Sequence, residues 1–375
     1  MRLPQRLQLI KWIVLIGLLV SVLLSYNLWA GQRWFPKAPL FWEYDLIKSP
    51  YDYIQLLILL SLIIINIISR NKYFLFCLVL FSVYLCADDQ NRLQPWFFNY
   101  MLILLVLLFY RQRVDAPNNY TSIFISLQLV VALIYIYSGL QKINSHFIDD
   151  TYTWIIEPLK AVLSNRQMLL LLRLGHSIPV IEILLGLGLL IKPTRYITLP
   201  LIIMMHVIIL VLLGPMGKSY NSVIWPWNLT MIALNLVLYA NVERERFFDV
   251  AILFRGVSFY MVITFMLIFP FFSFQNKYDS YLSSSLYSGN THNCKIILSD
   301  KAYKALPYYI RSFATCNANY NTLNVKRWCM TELNVPCIPE KRQFENVQQY
   351  LIVITNCNRE DVQLEFMERE KLFGL

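Results

Sequence analysis

VALIYIYSGLQKINSH, residues 131–146, decides how the rest of this chain is read. An apolar run of helical length ends in Ser138 and Gly139, and Lys142 and His146 follow directly. Residues four apart share a face on a continuing helix, so Lys142 and His146 lie on one side of it. The lysine has two readings. An ammonium buried among apolar groups loses its proton readily and can serve as a base. The same residue at a membrane surface can run its stem along lipid and keep its charge in water.

The surrounding chain favours a membrane. Of 375 residues, 57% are hydrophobic and 15% charged, more apolar and less charged than a soluble domain of this size. Apolar runs at 10–30, 54–69, 73–87, 96–110, 120–140, 168–191, 196–213, 226–240 and 250–272 approach the roughly 20 residues that cross a bilayer. The net charge of +10 comes largely from lysines and arginines in short loops between these runs. Membrane topology accounts for them there. No basic stripe interleaved with aromatics lies on a soluble segment, so nucleic acid is excluded and the lipid bilayer is the expected partner.

Arg2, Arg6 and Lys11 precede or open the first run. Alternate loops then carry Arg70 with Lys72, Arg111 with Arg113, Lys192 with Arg195, and Arg244 with Arg246. All fall on one side if the chain crosses nine times, with the N-terminus cytoplasmic and the C-terminus outside. The first run reads as a retained span, because Tyr26-Asn27-Leu28-Trp29 follows its core where a signal peptide would place small residues. The expected fold is an all-α polytopic bundle of about eight or nine transmembrane helices with a small α+β extracytoplasmic C-terminal domain. Its divisions are 1–50 (first helix and outer loop), 51–273 (the main bundle) and 274–375 (the tail domain).

The outer side collects the polar features. In ADDQNRLQPW (87–96), Asp88, Asp89 and Arg92 read as an ion pair, and Gln94, Pro95 and Trp96 as an interfacial anchor; a ligand-binding role for Arg92 and Trp96 is the alternative. The excursion 141–167, with Trp154, Glu157 and Pro158, is too polar to span and reads as a helix lying on the surface. In the tail, CKIIL (294–298) reads as a strand, SDKAYKALPYYIRSFA as a helix and TLNVKRW as a strand. ELNVPCIPE follows as a turn, NVQQYLIVIT as helix or strand, and VQLEFMER as a last strand. About 100 residues suffice for a small core.

Five of the seven cysteines, Cys294, Cys316, Cys329, Cys337 and Cys357, lie in the tail. Outside the cytoplasm they are disulfide candidates, two bridges with one left over and the pairing open. Cys77 and Cys86 read as apolar packing residues. No CxxC occurs, and no metal site is expected. Within the bundle, His176 and Glu182 fall on the sixth run and His206 on the seventh. At 1.5 Å per residue, Glu182 and His206 come out near mid-membrane on adjacent helices. A charge there costs at least about 2.5–3.5 kcal/mol, so Glu182 is expected to face inward and meet His206. Such a contact suits a proton relay or a polar pocket opening through His176. It equally suits a neutral glutamic acid holding two helices by one hydrogen bond.

A span ending YSGLQKIN, an amphipathic excursion and a helix carrying GHSIPVIEILLGLGLL together resemble the DoxX-like superfamily. More narrowly, the chain resembles the HTTM (horizontally transferred transmembrane) proteins related to vitamin K-dependent γ-glutamyl carboxylase. DDQNRLQPW and YLSSSLYSGN are similar to stretches of bacterial members, and the likeness covers roughly residues 54–290. The resemblance implies a bacterial inner-membrane protein with an outward-facing pocket for a quinone or another lipid-soluble ligand. Lys142 would be the base, with His176 as second catalytic candidate and Glu182, His206, His146, Arg92 and Trp96 as lining. It implies redox-coupled proton abstraction, with a periplasmic polypeptide as acceptor. Carboxylases carry a large lumenal domain where this chain has about 100 residues, and 88–100 holds no histidine. A non-catalytic subunit scaffolding a cell-envelope or secretion complex is therefore the second expectation. A lipid or small-molecule transporter is the third, for which no Gly/Pro-broken helix pair or inverted repeat stands out.

Overall fold

Without water to satisfy it, a backbone in lipid must pair its own polar groups, and long apolar runs therefore coil into helices. The computed structural model describes residues 2–40, 50–110, 117–240, 256–316 and 320–367, with 117–119 described by backbone alone. The helices are α1 (Leu3–Leu24), α2 (Tyr51–Ile68), α3 (Lys72–Asp88), α4 (Pro95–Leu108), α5 (Pro117–Gln141), α6 (Asn165–Gly175), α7 (Ile178–Leu190), α8 (Arg195–Leu213), α9 (Ile224–Tyr239) and α10 (Val257–Val262). Among the described residues, five stretches are long and apolar enough to cross a membrane, Leu3–Leu24, Tyr51–Ile68, Tyr120–Gln141, Lys192–Leu213 and Val257–Gln275, or six if the bent pair Asn165–Gly175 and Ile178–Leu190 is one span. α4 and α9 are apolar but shorter.

The run at 168–191 is not one straight helix. α6 and α7 meet at 54°. Ser177 Oγ donates to Leu174 O at 2.7 Å, and His176 Nδ1 lies 3.3 Å from Arg173 O, so side chains take up the carbonyls that end α6. Pro179, in the first turn of α7, has no N–H to carry the helix ladder back across the break. α5 is the central helix, with Phe124, Leu127, Val130, Val131 and Ala132 all buried.

Basic residues gather where helices end. Arg6 donates to Val237 O and Ala240 O at 2.6 and 3.0 Å, Lys11 to Ser69 O at 2.9 Å, and Arg195 to Leu189 O at 2.8 Å. Each cation meets the carbonyls that close α9, α2 or α7, where the helix dipole is negative. Arg111, Arg113, Arg244 and Arg246 lie outside the described residues.

Between α5 and α6 the excursion forms helical turns at Phe147–Tyr152, Thr153–Ile156 and Glu157–Ala161. Phe147, Tyr152 and Ile156 pack with Met168 of α6 into a small core of their own.

The tail folds as an antiparallel sheet with helices against it. Its strands are β1 (Asn293–Leu298), β2 (Ala314–Cys316), β3 (Asn321–Leu323) and β4 (Val362–Met367), in the order β2-β3-β1-β4. Ile296 of β1 sits between Leu323 of β3 and Leu364 of β4. The helices are α11 (Asp300–Ala305), α12 (Tyr308–Arg311), α13 (Val325–Leu333) and α14 (Lys341–Thr355). SDKAYKALPYYIRSFA is two short helices rather than one, because Pro307 cannot donate at the junction. TLNVKRW is strand only to Leu323. Asn324 then accepts the Arg327 N–H at 2.9 Å and starts α13.

The expected disulfides are not formed: all seven cysteines are free thiols. Cys329 and Cys337 lie side by side in the core, with Sγ 3.5 Å from Val335 O and Ile338 O. Cys294 and Cys357 make similar local contacts at 3.5 Å, and Cys316 is exposed on β2. The buried thiols behave as small apolar packing groups. Cys77, expected to pack, is exposed on α3, while Cys86 is partly buried.

Side chains seat this domain on the bundle. The buried Glu332 carboxylate accepts the N–H groups of Trp34, of Phe35 at 3.0 Å and of the Trp328 indole at 2.8 Å. Asn334 Nδ2 donates to Leu24 O, the last carbonyl of α1, at 2.8 Å, and Gln94 Nε2 to Pro336 O at 3.0 Å.

Candidate functional site

The site begins with two glycines. A Cβ on Gly139 of α5 would lie 2.5 Å from Pro179 O of α7, and one on Gly186 of α7 would lie 2.8 Å from Ala132 O of α5. Neither helix could come so close with a larger residue at these positions. One turn beyond Gly139 the approach brings Lys142 against Glu182. Lys142 Nζ donates to Glu182 Oε2 and to Ser138 Oγ, both at 2.6 Å, and the Phe147 ring lies 6.0 Å from the ammonium. Both charged residues are buried. Among the described residues, no hydrogen bond to Glu182 other than that of Lys142 occurs, and one of the three Lys142 N–H donors remains.

The loop after Lys142 is held in place. Asn144 Nδ2 donates to Gln141 O and Ser288 O, each at 2.9 Å, while its Oδ1 accepts the Phe147 N–H at 2.9 Å. Gln141 donates to Ser273 Oγ and accepts from Asn290 Nδ2, both at 2.7 Å. QKIN (141–144) is thus clasped by YSGN (287–290). Gly289, at φ +74°, sits where a Cβ would meet Phe147 N at 2.5 Å.

Among the described residues His206 makes no hydrogen bond to Glu182, although the carboxylate lies within electrostatic reach of the ring. Its Nδ1 lies 2.7 Å from Asn228 Oδ1 and its Nε2 2.7 Å from Tyr135 Oη; Asn235 Nδ2 donates to that hydroxyl at 2.7 Å. Asn228 Nδ2 is committed to Ile224 O at 2.7 Å, so Oδ1 must accept, and the neutral ring carries its proton on Nδ1. Tyr135 O–H then donates to Nε2. Direction along the whole chain is fixed.

The other sequence-expected residues fall elsewhere. Arg92 is buried, and four of its five N–H groups are engaged: Nε donates to Leu28 O at 3.2 Å, Nη1 to Leu85 O and Asp88 Oδ2 at 3.0 Å, and Nη2 to Trp29 O at 3.2 Å. Asp89 accepts from Arg33, from Ala38 and Asn91 N–H at 3.1 Å, and from Asn91 Nδ2 at 2.9 Å. Burial pushes its carboxyl up, but the Arg33 and Arg92 guanidiniums outweigh that and hold it below the ordinary carboxylate range. Trp96 is buried among Trp29, Phe97 and Tyr100. His176 is exposed at the bend between α6 and α7, and His146 pairs with Asp150 at 3.3 Å on the protein surface.

The structure therefore joins Lys142, Glu182 and Ser138 by hydrogen bonds, with His206 within electrostatic reach of Glu182, while Arg92, Trp96 and His176 have other surroundings. Ser138 was within the quoted stretch, four residues before Lys142, and that spacing was the available signal. Tyr135, Asn228 and Asn235 carried only the signal of polar residues in apolar helices. No metal-binding group of three or more His, Cys, Asp or Glu occurs among the described residues. Mostly helical, with long apolar helices and a small antiparallel sheet, the chain has the make-up of a membrane-embedded protein. Comparison with family models, curated proteins and solved structures finds no match.

Proposed function

We propose that this chain is a bacterial inner-membrane protein of the HTTM type that crosses the bilayer nine times, N-terminus in the cytoplasm and tail domain in the periplasm. The Lys142–Glu182 pair is its outward-facing proton-handling site for a lipid-soluble ligand of the quinone class. One observation carries the reading: a buried ion pair that keeps hydrogen-bonding capacity on both partners. Free lone pairs on Glu182 and a spare N–H on Lys142 complement a ring hydroxyl or carbonyl. A quinone, when bound, supplies the redox chemistry. Glu182 accepts the proton from a ligand O–H, and the Lys142 ammonium stays beside the oxygen left negative. The base is then the carboxylate, with Lys142 as electrostatic partner, a different division of labour from a lone lysine base.

Solvent extraction of protein purified from native membranes, followed by mass spectrometry, tests this. A redox-active isoprenoid ligand should be recovered from the native chain and lost from Lys142→Met. Recovery of none from folded native protein would overturn the proposal. A second reading, a non-catalytic scaffold, rests on Tyr308, 87% exposed near the edge strand β2. A stoichiometric protein partner lost on deleting the tail would favour it.

A further inference from the structure

On the outer face, between the excursion, the 220 and 281–291 loops and the tail domain, lies a cleft of about 610 Å³. One wall is aromatic. Trp154 stacks on Tyr287 at 6.2 Å and meets the edge of Tyr220 at 5.1 Å. Tyr287 stands at φ +54°, a left-handed conformation rare for a bulky residue, and its hydroxyl accepts from Asn221 Nδ2 at 3.0 Å. Backbone strain of that kind persists only where surroundings impose it, and it gathers at ligand clamps.

The opposite side carries charge. Lys326, in the first turn of α13, points into the cleft with no hydrogen bond or ion pair among the described residues. The residue is exposed at the cleft, and partial desolvation still lowers its amine from the ordinary lysine value against the weaker pull of Cys337 and Asp150. Asp150, exposed and paired to His146, supplies the opposite sign in the same cleft. Lys218 stands 5.2 Å from the Trp154 ring, so that face already attracts a cation. The ionisable groups lining the cleft beside these aromatic rings are Lys326, Asp150 and His146, and the Lys218–Glu157 ion pair stands at the Trp154 ring without lining the cleft.

We propose that this cleft binds a zwitterionic amine–phosphate group, the phosphate at Lys326 and the amine between Asp150 and the aromatic wall. An ethanolamine phospholipid head and a free phosphoethanolamine share this chemistry. The site is separate from Lys142–Glu182 and does not depend on it.

Full-length protein in nanodiscs of phosphatidylethanolamine or phosphatidylglycerol, analysed by native mass spectrometry, reads retained lipid; soluble phosphoethanolamine is titrated by tryptophan fluorescence. Phosphatidylethanolamine should be retained preferentially, and Lys326→Gln should weaken retention at least about ten-fold, with Lys326→Arg restoring it. Asp150→Asn should erase the preference over phosphatidylglycerol. Binding of soluble phosphoethanolamine alone, lost in Lys326→Gln, would support the same site with a soluble source. Equal retention of both lipids together with no binding of soluble phosphoethanolamine, or binding of either unmoved by Lys326→Gln, would overturn the proposal.

Discussion

Two buried ionic clusters in this protein differ in one respect that separates structure from chemistry. Around Arg92 and Asp89, four of the five guanidinium N–H groups go to Asp88 and to the carbonyls of Leu28, Trp29 and Leu85, and the Asp89 carboxylate accepts four hydrogen bonds from Arg33, Ala38 and Asn91. That carboxylate has little left for a ligand. The cluster ties residues 28–38 to the end of α3, beside Gln90 and Gln94, which bond the tail domain. Between Lys142 and Glu182 the geometry is as tight, but among the described residues Glu182 accepts one hydrogen bond where Asp89 accepts four. A saturated network specifies a fold, whereas an unsaturated one can also meet a ligand.

The largest expected effect comes from breaking the saturated cluster. Arg92→Met strands Asp88 and several carbonyls, and should cost about 3–5 kcal/mol in detergent unfolding, with little folded protein recovered. A melt within a degree or two of the native one would remove the distinction. Next, replacing both partners of the other pair, Lys142→Met with Glu182→Leu, should leave stability unchanged or raised by about 1–4 kcal/mol while abolishing ligand recovery. Unfolding of the double variant would make this pair structural as well.

The smallest effect is a pH dependence. The folded-state pKa of Asp89 is depressed, so its contribution is present above the ordinary value of 3.8 and fades as pH falls through the lower folded value. Melting temperature should fall more steeply below about pH 4 in native protein than in Asp89→Asn. Parallel curves would mean that the Arg33–Asp89 contact adds nothing.

The helices were legible because lipid leaves an apolar run little alternative. The Lys142–Glu182 contact was not, and the bend at His176–Ser177 is the reason. Counting 1.5 Å per residue along a straight 168–191 run puts Glu182 level with His206. The chain breaks by 54° before α7, and Glu182 bonds Lys142 of α5 while staying within electrostatic reach of His206. Gly139 and Gly186 marked the close crossing, but which helix each faced was not readable from one chain. In the tail, the thiols of Cys329 and Cys337 suggested bridges by number alone, and packing gave them another use.

Redox-triggered infrared difference spectroscopy of the protein in liposomes, with an added short-chain quinone, tests the proton-handling claim most directly. Reduction should perturb a single buried carboxyl band that disappears in Glu182→Gln and shifts in Lys142→Arg. A spectrum unchanged by Glu182→Gln would contradict the assignment of proton transfer to this pair.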